Sequence, residues 1–309
     1  MKLSVVTTLF YSSSFVQEFY NRIVNSIKKI TNEYEIIFVN DGSPDNSLTN
    51  ALQLVELDNN IKIIDLSRNF GHHKAMMTGL FHAIGDYVFM IDSDLEEIPE
   101  LLNIYWKEMI SNPHADVVYG ILKDRQGGIF KRTTGSIFYR ILNYLSAEDM
   151  PKNISFSRLM TKRYVKCLTE YTEREMYIGG LWHIVGFNQI PIMIDKSFKG
   201  VSSYTLQKKI SMMINAVTSF SNKPLIFIFN TGFFIFFLSC CFSLYFLVRK
   251  FFFGAVLSGW TSLILSLWLL SGLIILCLGI IAIYLSKIFI ETKNRPYSIV
   301  KEIYGKKNS

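Results

Sequence analysis

Two hydrophobic rhythms alternate along the first third of the chain. Leu3–Leu9 is apolar and β-branched almost throughout, which predicts a buried strand. Phe15–Lys29 switches to helical spacing, with Phe15, Phe19, Ile23 and Ile27 on one stripe. Glu35–Asn40 returns to the strand pattern and stops at the turn-forming run Asp41-Gly42-Ser43-Pro44-Asp45. Ser47–Glu56 predicts a helix, Ile61–Leu66 a third strand, Lys74–Ile84 a helix and Tyr87–Ile91 a fourth strand. Apolar strands alternating with helices predict an α/β fold around a mainly parallel sheet covered on both faces. Ligands of such sheets bind at the carboxyl ends of the strands. Asp41 and Asp92 both fall there, so they are expected on one rim.

A third rhythm takes over near the end. Leu225–Val248 and Leu263–Ser286 are each 24 residues long and carry no charge. A membrane-spanning helix needs about 20 apolar residues, and neither run has a polar face to show water. The pattern predicts a cytoplasmic domain over residues 1–205 and a juxtamembrane amphipathic segment over 206–224. Transmembrane helices follow over 225–248 and 263–286, then a cytoplasmic tail over 287–309. Within the juxtamembrane segment, Leu206–Phe220 turns Ile210, Met213, Ile214 and Val217 to one side. It reads equally as a membrane-surface helix and as a plain surface helix of the domain.

Charge sharpens this division. Lys plus Arg against Asp plus Glu is 24 to 23 over residues 1–223 and 8 to 2 over 224–309, so nearly all of the overall +7 belongs to the apolar end. A nucleic-acid binder would carry the excess on its folded domain; here it faces anionic headgroups. Lys208, Lys209 and Lys223 precede the first span, and Lys287, Lys293, Arg295, Lys301, Lys306 and Lys307 follow the second. The positive-inside bias therefore predicts a multi-pass protein of the inner (cytoplasmic) membrane, with domain and tail in the cytoplasm. The N-terminal apolar run is too short and too polar for a signal peptide. The four cysteines, Cys167, Cys240, Cys241 and Cys277, have no metal-ligand or disulfide spacing.

The candidate chemistry gathers at strand ends. In Ile91-Asp92-Ser93-Asp94-Leu95-Glu96 the two aspartates follow an apolar strand. Hard oxygen donors at that spacing can hold Mg²⁺ or Mn²⁺, with diphosphate oxygens completing the shell, although a bare Asp-x-Asp is more often a solvated turn. Asp41 could accept hydrogen bonds from a nucleoside, or simply close an Asx-turn. Arg68 and Lys74 flank Gly71 in a segment able to approach phosphate. His72 and His73 beside them read as a helix start. Residues 120–166 carry ten basic against three acidic residues. Among them Arg125, Lys131 and Arg132 are candidates for a diphosphate or a lipid phosphate, or for a solvated loop.

Taken in order, VVTTLFYSSSFVQEF, FVNDGSPDNS, SRNFGHHKAMMTGL and GDYVFMIDSDLEEIPE resemble the family 2 polyprenyl-phosphate glycosyltransferases of GT-A fold. The resembling groups are the dolichol-phosphate mannose synthases and the bactoprenol glucosyltransferases. KRTTGSIFYRILNYLS, Gly180-Leu181-Trp182, VSSYTLQKK, TSFSNKPL and ETKNRPYSIVKE extend the resemblance over nearly the whole chain. It implies a GT-A, Rossmann-like domain followed by two transmembrane helices. It also implies that Thr8, Asp41, Arg68, Asp92, Ser93 and Arg125 bind the nucleotide-sugar, and that Asp92, Asp94 and Glu96 hold the metal. Asp94, Lys131 and Arg132 would then assist transfer. Two departures stand out. Glu96-Glu97 replaces the family's Gln-Asp, and the acidic residue of its Asp-Phe-Arg-Leu-Met motif is missing from Ser155-Phe156-Ser157-Arg158-Leu159-Met160.

The expected activity is inverting, metal-dependent transfer of a hexose-type sugar from a nucleotide-sugar, a UDP-sugar first among them, to polyprenyl phosphate at the cytoplasmic face. A lipid phosphate is already an anion at neutral pH and needs no general base, so positioning and leaving-group stabilisation suffice. The rivals are transfer to a lipid-linked saccharide during surface polysaccharide assembly, and a non-catalytic membrane scaffold. Membrane lipid, a homo-oligomer and a flippase are the partners expected; nucleic acid is not.

Overall fold

The computed structural model describes residues 1–122, 154–174, 176, 178–194, 223–253 and 259–305. They fall into two compact units. One takes residues 1–122, 154–194 and the chain from Asn294; the other takes the long helices between.

The first unit is built on strands β1 (Leu3–Leu9), β2 (Tyr34–Asn40), β3 (Ile61–Leu66) and β4 (Tyr87–Met90). Helices α1 (Val16–Ile27), α2 (Ser47–Leu57) and α3 (His72–Phe81) connect them. These four strands are parallel, with β1 between β2 and β4. The sheet continues beyond them through α4 (Leu101–Ser111), β5 (Val117–Leu122), β6 (Ile154–Thr161), α5 (Lys162–Thr169), α6 (Ile178–Ile184) and β7 (Gln189–Ile194). The full order is β7-β5-β6-β4-β1-β2-β3-β8, and β6 runs antiparallel to both its neighbours. All of β1 is buried, as expected for a central strand covered on both faces. On α1 the stripe Phe19, Ile23 and Ile27 is wholly buried, packed in one core with Leu3, Ile36, Phe38 and Phe89.

The edge strand β8 (Val300–Gly305) comes from the far end of the chain and pairs antiparallel with β3. The sequence leaves this stretch as tail; in the structure it completes the sheet of the N-terminal domain. Its register slips between Asp65 and Leu66, which face Glu302 and Val300, so Lys301 is the extra residue of a β-bulge.

The second unit holds α7 (Lys223–Phe253) and α8 (Trp260–Thr292), 31 and 33 residues long. Among the described residues one helical stretch, Ser266–Thr292, is long and apolar enough to cross a membrane, with mean hydropathy 2.6 and none of it buried. The predicted juxtamembrane helix Leu206–Phe220 lies outside the described residues.

Candidate active site

The carboxyl ends of the parallel strands form one rim, and four loops meet there. Asp41, 1% exposed at the end of β2, accepts the main-chain N–H groups of Phe70 at 2.7 Å and Gly71 at 3.0 Å. It therefore ties its own loop to the one after β3, rather than closing an Asx-turn. Burial raises its pKa, while the two N–H groups pull the other way. Gly42 is needed at this junction. Its φ is +61°, and a Cβ there would stand 2.5 Å from the Asn69 nitrogen. Asp45 does the turn work instead. It takes hydrogen bonds from the Ser43 hydroxyl, from the Ser47 hydroxyl and N–H, and from the Ser13 N–H. Burial alone would raise its pKa, but these donors outweigh it and hold the carboxyl well below the usual range.

Thr8 and Asp92 are brought together by His72. The imidazole Nδ1 lies 3.1 Å from Thr8 Oγ1, and Nε2 lies 3.3 Å from Asp92 Oδ1. Burial, then the neighbouring His73, lowers the His72 pKa to about 4, so the ring is neutral at pH 7. The tautomer of the neutral ring sets which of Thr8 Oγ1 and Nδ1 donates, while Nε2 stands beside the Asp92 carboxylate. His72 occupies the first turn of α3, but no side chain caps that helix; the ring reaches across the rim instead. Phe156, from β6, packs 4.5 Å from His72 and stacks parallel to His73 at 6.3 Å.

Around Asp92, burial alternates with sequence. Asp92, Asp94 and Glu96 are half-exposed, while Ser93, Leu95 and Glu97 are buried. The buried Ser93 hydroxyl lies 2.8 Å from Thr8 O and 3.0 Å from Ser12 Oγ, and so joins the ends of β1 and β4. Asp94 Oδ1 accepts the Glu96 N–H at 2.9 Å across Leu95, whose φ is +59°. Among the described residues no three carboxylate, imidazole or thiolate groups converge to chelate a metal, so Glu96 is not gathered with Asp92 and Asp94 here. Two carboxylates still fit Mg²⁺ or Mn²⁺, which keep open positions for substrate phosphates.

Arg68 is exposed in the loop after β3, with its guanidinium 4.3 Å above the Phe70 ring. Arg125, Lys131 and Arg132 lie outside the described residues, as do the basic residues from Lys196 to Lys209. Three contributors escape sequence reasoning. His72 is one. Glu97 is another: it accepts the N–H groups of Phe156 at 3.2 Å and Ser157 at 2.8 Å, locking the Asp92 loop to β6. The third is Tyr11, exposed at the rim with φ +54°, its N–H held by Ser43 Oγ. Only a rare backbone turn presents that ring, and periodicity does not reveal it. A surface cavity of about 510 Å³ beside Asp116 and Arg163 opens at the other ends of the strands.

A Rossmann-like sheet with paired carboxylates and nucleotide-type loops on one rim defines a GT-A glycosyltransferase domain. Residues 4–169 match glycosyl transferase family 2, and the chain belongs to that family. A Mycobacterium tuberculosis protein, provisionally named a glycosyltransferase, is 48% identical over 99% of this chain and 89% of its own. The bactoprenol glucosyl transferase of Shigella phage SfII is 30% identical, covering 98% of both chains. Among solved structures, glucosyl-3-phosphoglycerate synthase from M. tuberculosis, in complex with Mn²⁺, UDP and phosphoglyceric acid, superposes with a TM-score of 0.51. The match covers 70% of this chain and 76% of that one at 17% identity, a likeness of fold.

Proposed function

We propose that this enzyme transfers a sugar from a nucleotide-sugar, of the UDP class, to polyprenyl phosphate at the cytoplasmic face of the membrane, with inversion. The carrying observation is the pairing of β8 with β3. It returns the end of the chain to the N-terminal domain after two long helices. A chain leaving and rejoining one domain crosses a bilayer an even number of times. If Ser266–Thr292 spans, α7 must span too, which agrees with the uncharged run Leu225–Val248. A domain tethered to the bilayer by such helices would meet a lipid phosphate at high effective concentration. The full-length likeness to a bactoprenol glucosyl transferase supports the same acceptor.

At the rim, the ring of Tyr11 offers a flat surface to a base, and Asp41 organises the loops beneath it. Asp92 and Asp94 would hold Mg²⁺ or Mn²⁺, with Glu96 a further candidate. When bound, the cation neutralises the leaving diphosphate as a Lewis acid. Thr8 and His72 orient Asp92 for that task. Arg125, Lys131 and Arg132 are proposed to meet phosphate. The acceptor phosphate is already anionic, so no residue needs to remove a proton from it. The test incubates purified protein with a nucleotide-sugar panel and undecaprenyl phosphate, undecaprenol or a lipid-linked saccharide, with products read by mass spectrometry. A glycosylated undecaprenyl phosphate is expected; preference for the saccharide would replace this reading.

A further inference from the structure

We propose that the segment following the second long helix is a working part of the donor site, with Lys301 as a positioning residue for the loop 41–45. The inference rests on reading that rim as the nucleotide-sugar site.

A row of polar side chains crosses the sheet one residue below the loop. Asn40, the last residue of β2, stands in register with Asp65 of β3. Asn40 Nδ2 donates to Asp65 Oδ1 at 2.7 Å, and both residues are buried. The other carboxylate oxygen, Asp65 Oδ2, meets Lys301 Nζ at 3.3 Å. At its far end the row enters the loop: Asn40 Oδ1 accepts the Ser43 N–H at 3.2 Å. Lys301, Asp65, Asn40 and Ser43 thus form a continuous relay from the end of the chain to the turn beside Asp41. The bulge in β8 falls at Lys301, and a bulge re-aims a side chain that a regular strand would direct elsewhere.

The same segment grips the second loop of the rim. Ile299 O accepts the Ser67 N–H at 2.9 Å, at the start of the loop whose Phe70 and Gly71 amides bind Asp41. Ser298 Oγ lies 2.7 Å from Thr78 Oγ1 on α3, the helix that carries His72. Three contacts from residues 298–301 therefore reach both loops and the helix that shape the rim. Structural stability alone would ask only for the ladder between β8 and β3. Asp65 is buried, and Lys301, whose own side chain stays 61% exposed, brings a cation to its Oδ2 from the segment after the long helices. Removing that cation leaves a buried carboxylate underpaired, and Asn40 and Ser43 then lose their fixed anchor.

The test uses the full-length protein in lipid nanodiscs. UDP binding in the presence of Mn²⁺ is measured by calorimetry, and amide hydrogen exchange is followed without nucleotide. Lys301→Met is expected to weaken UDP binding measurably relative to wild type, through loss of the anchored loop. Exchange at Ser43 should accelerate while α4 is unchanged. Lys301→Arg, which keeps the charge, should restore most of both. Lys28→Met, on an exposed position, is the control. Wild-type UDP affinity and wild-type Ser43 exchange in Lys301→Met would overturn the inference and leave the donor reading standing. If the wild-type protein and Asp41→Asn alike bind no UDP, the donor reading itself fails, while the exchange data still report whether Lys301 fixes the loop.

Discussion

Asp41 and Gly71 lie 30 residues apart in sequence, yet the carboxylate of one takes the main-chain N–H of the other at 3.0 Å. With the Phe70 N–H at 2.7 Å on its second oxygen, Asp41 is the only described link of this kind between the loops after β2 and β3. Replacing it by Asn leaves one acceptor oxygen for two half-buried donors and sets an NH₂ group against an N–H. An unsatisfied buried group costs about 1–3 kcal/mol. Asp41→Asn should destabilise the protein by that amount in chemical denaturation and weaken donor binding as well. A variant as stable as wild type would remove Asp41 from the role of loop organiser.

The His72–His73 pair sets a pH dependence. Both imidazoles have depressed pKa values, chiefly from burial, with His72 at about 4. Above pH 6.5 the rings are neutral in both folded and unfolded chains and contribute no difference. As pH falls below 6.5 the unfolded chain takes up protons first, so stability declines until pH passes about 4. Thermal unfolding in chelator should show this decline, and His72→Gln/His73→Gln should flatten it. Parallel curves would mean that the rings are charged in the folded state.

Arg158 and Trp182 make an unusual buried pair. The guanidinium carbon lies 3.2 Å from the centre of the indole ring, and Arg158 is 1% exposed. Among the described residues its Nε and Nη1 meet no hydrogen-bond partner. A desolvated cation–π contact contributes about 2 kcal/mol, and two orphaned donors cost about 1–3 kcal/mol each, so the balance does not favour the charge. Arg158→Met, similar in reach and apolar, should be neutral or stabilising. Trp182→Ala should cost about 3–5 kcal/mol through the space it leaves. Urea titration of both variants checks the contrast. A loss above about 2 kcal/mol in Arg158→Met would show that the cation is a net stabiliser.

Much of this arrangement is written in local pattern. Ile61–Leu66 has the same bounds in sequence and structure because its apolar run is closed by turn residues on both sides. α3 begins at His72 rather than Lys74, because Gly71, at φ +98°, ends the preceding loop abruptly. β8 is different in kind. Val300-Lys301-Glu302-Ile303-Tyr304 has no clean alternation and reads as a tail, and only long-range pairing with β3 makes it a strand. The site divides in the same way. Asp41, Asp92 and Asp94 announce themselves by ending apolar strands. His72, Glu97 and Lys301 act through partners 20, 59 and 236 residues away, and no local spacing records such contacts.

The acidic residues of the Asp92 loop should separate in function. Asp92 and Asp94 are the pair proposed to bind the cation, whereas Glu96 offers its N–H to Asp94 Oδ1. Asp94→Asn and Asp92→Asn should abolish turnover and Mn²⁺ binding measured by electron paramagnetic resonance with UDP present. Chelator should abolish activity of the wild type, with recovery on adding Mg²⁺ or Mn²⁺. Glu96→Gln should retain Mn²⁺ binding, since it keeps the N–H that orders Asp94. Loss of Mn²⁺ in Glu96→Gln would restore that carboxylate to the ligand set.

The strand β8 also fixes an expectation about the membrane. Val300–Gly305 is hydrogen-bonded to β3, so residues before α7 and after α8 share one side of any bilayer between them. The connection near Ser258 must then lie on the other side if the helices span. In a background with Cys167, Cys240, Cys241 and Cys277 replaced by Ala, Ser258→Cys should react with a membrane-impermeant maleimide in intact cells. Ser309→Cys should react only after the cells are opened. Neighbouring Arg249 and Lys250 do not oppose this, because nine basic residues, Lys208, Lys209 and Lys223 before the first helix and six from Lys287 onward, outnumber them on the proposed inner side. Labelling of both positions only after lysis would mean that neither helix crosses, and would detach the domain from the lipid acceptor proposed for it. Labelling of both positions in intact cells would place the domain outside, away from cytoplasmic nucleotide-sugars.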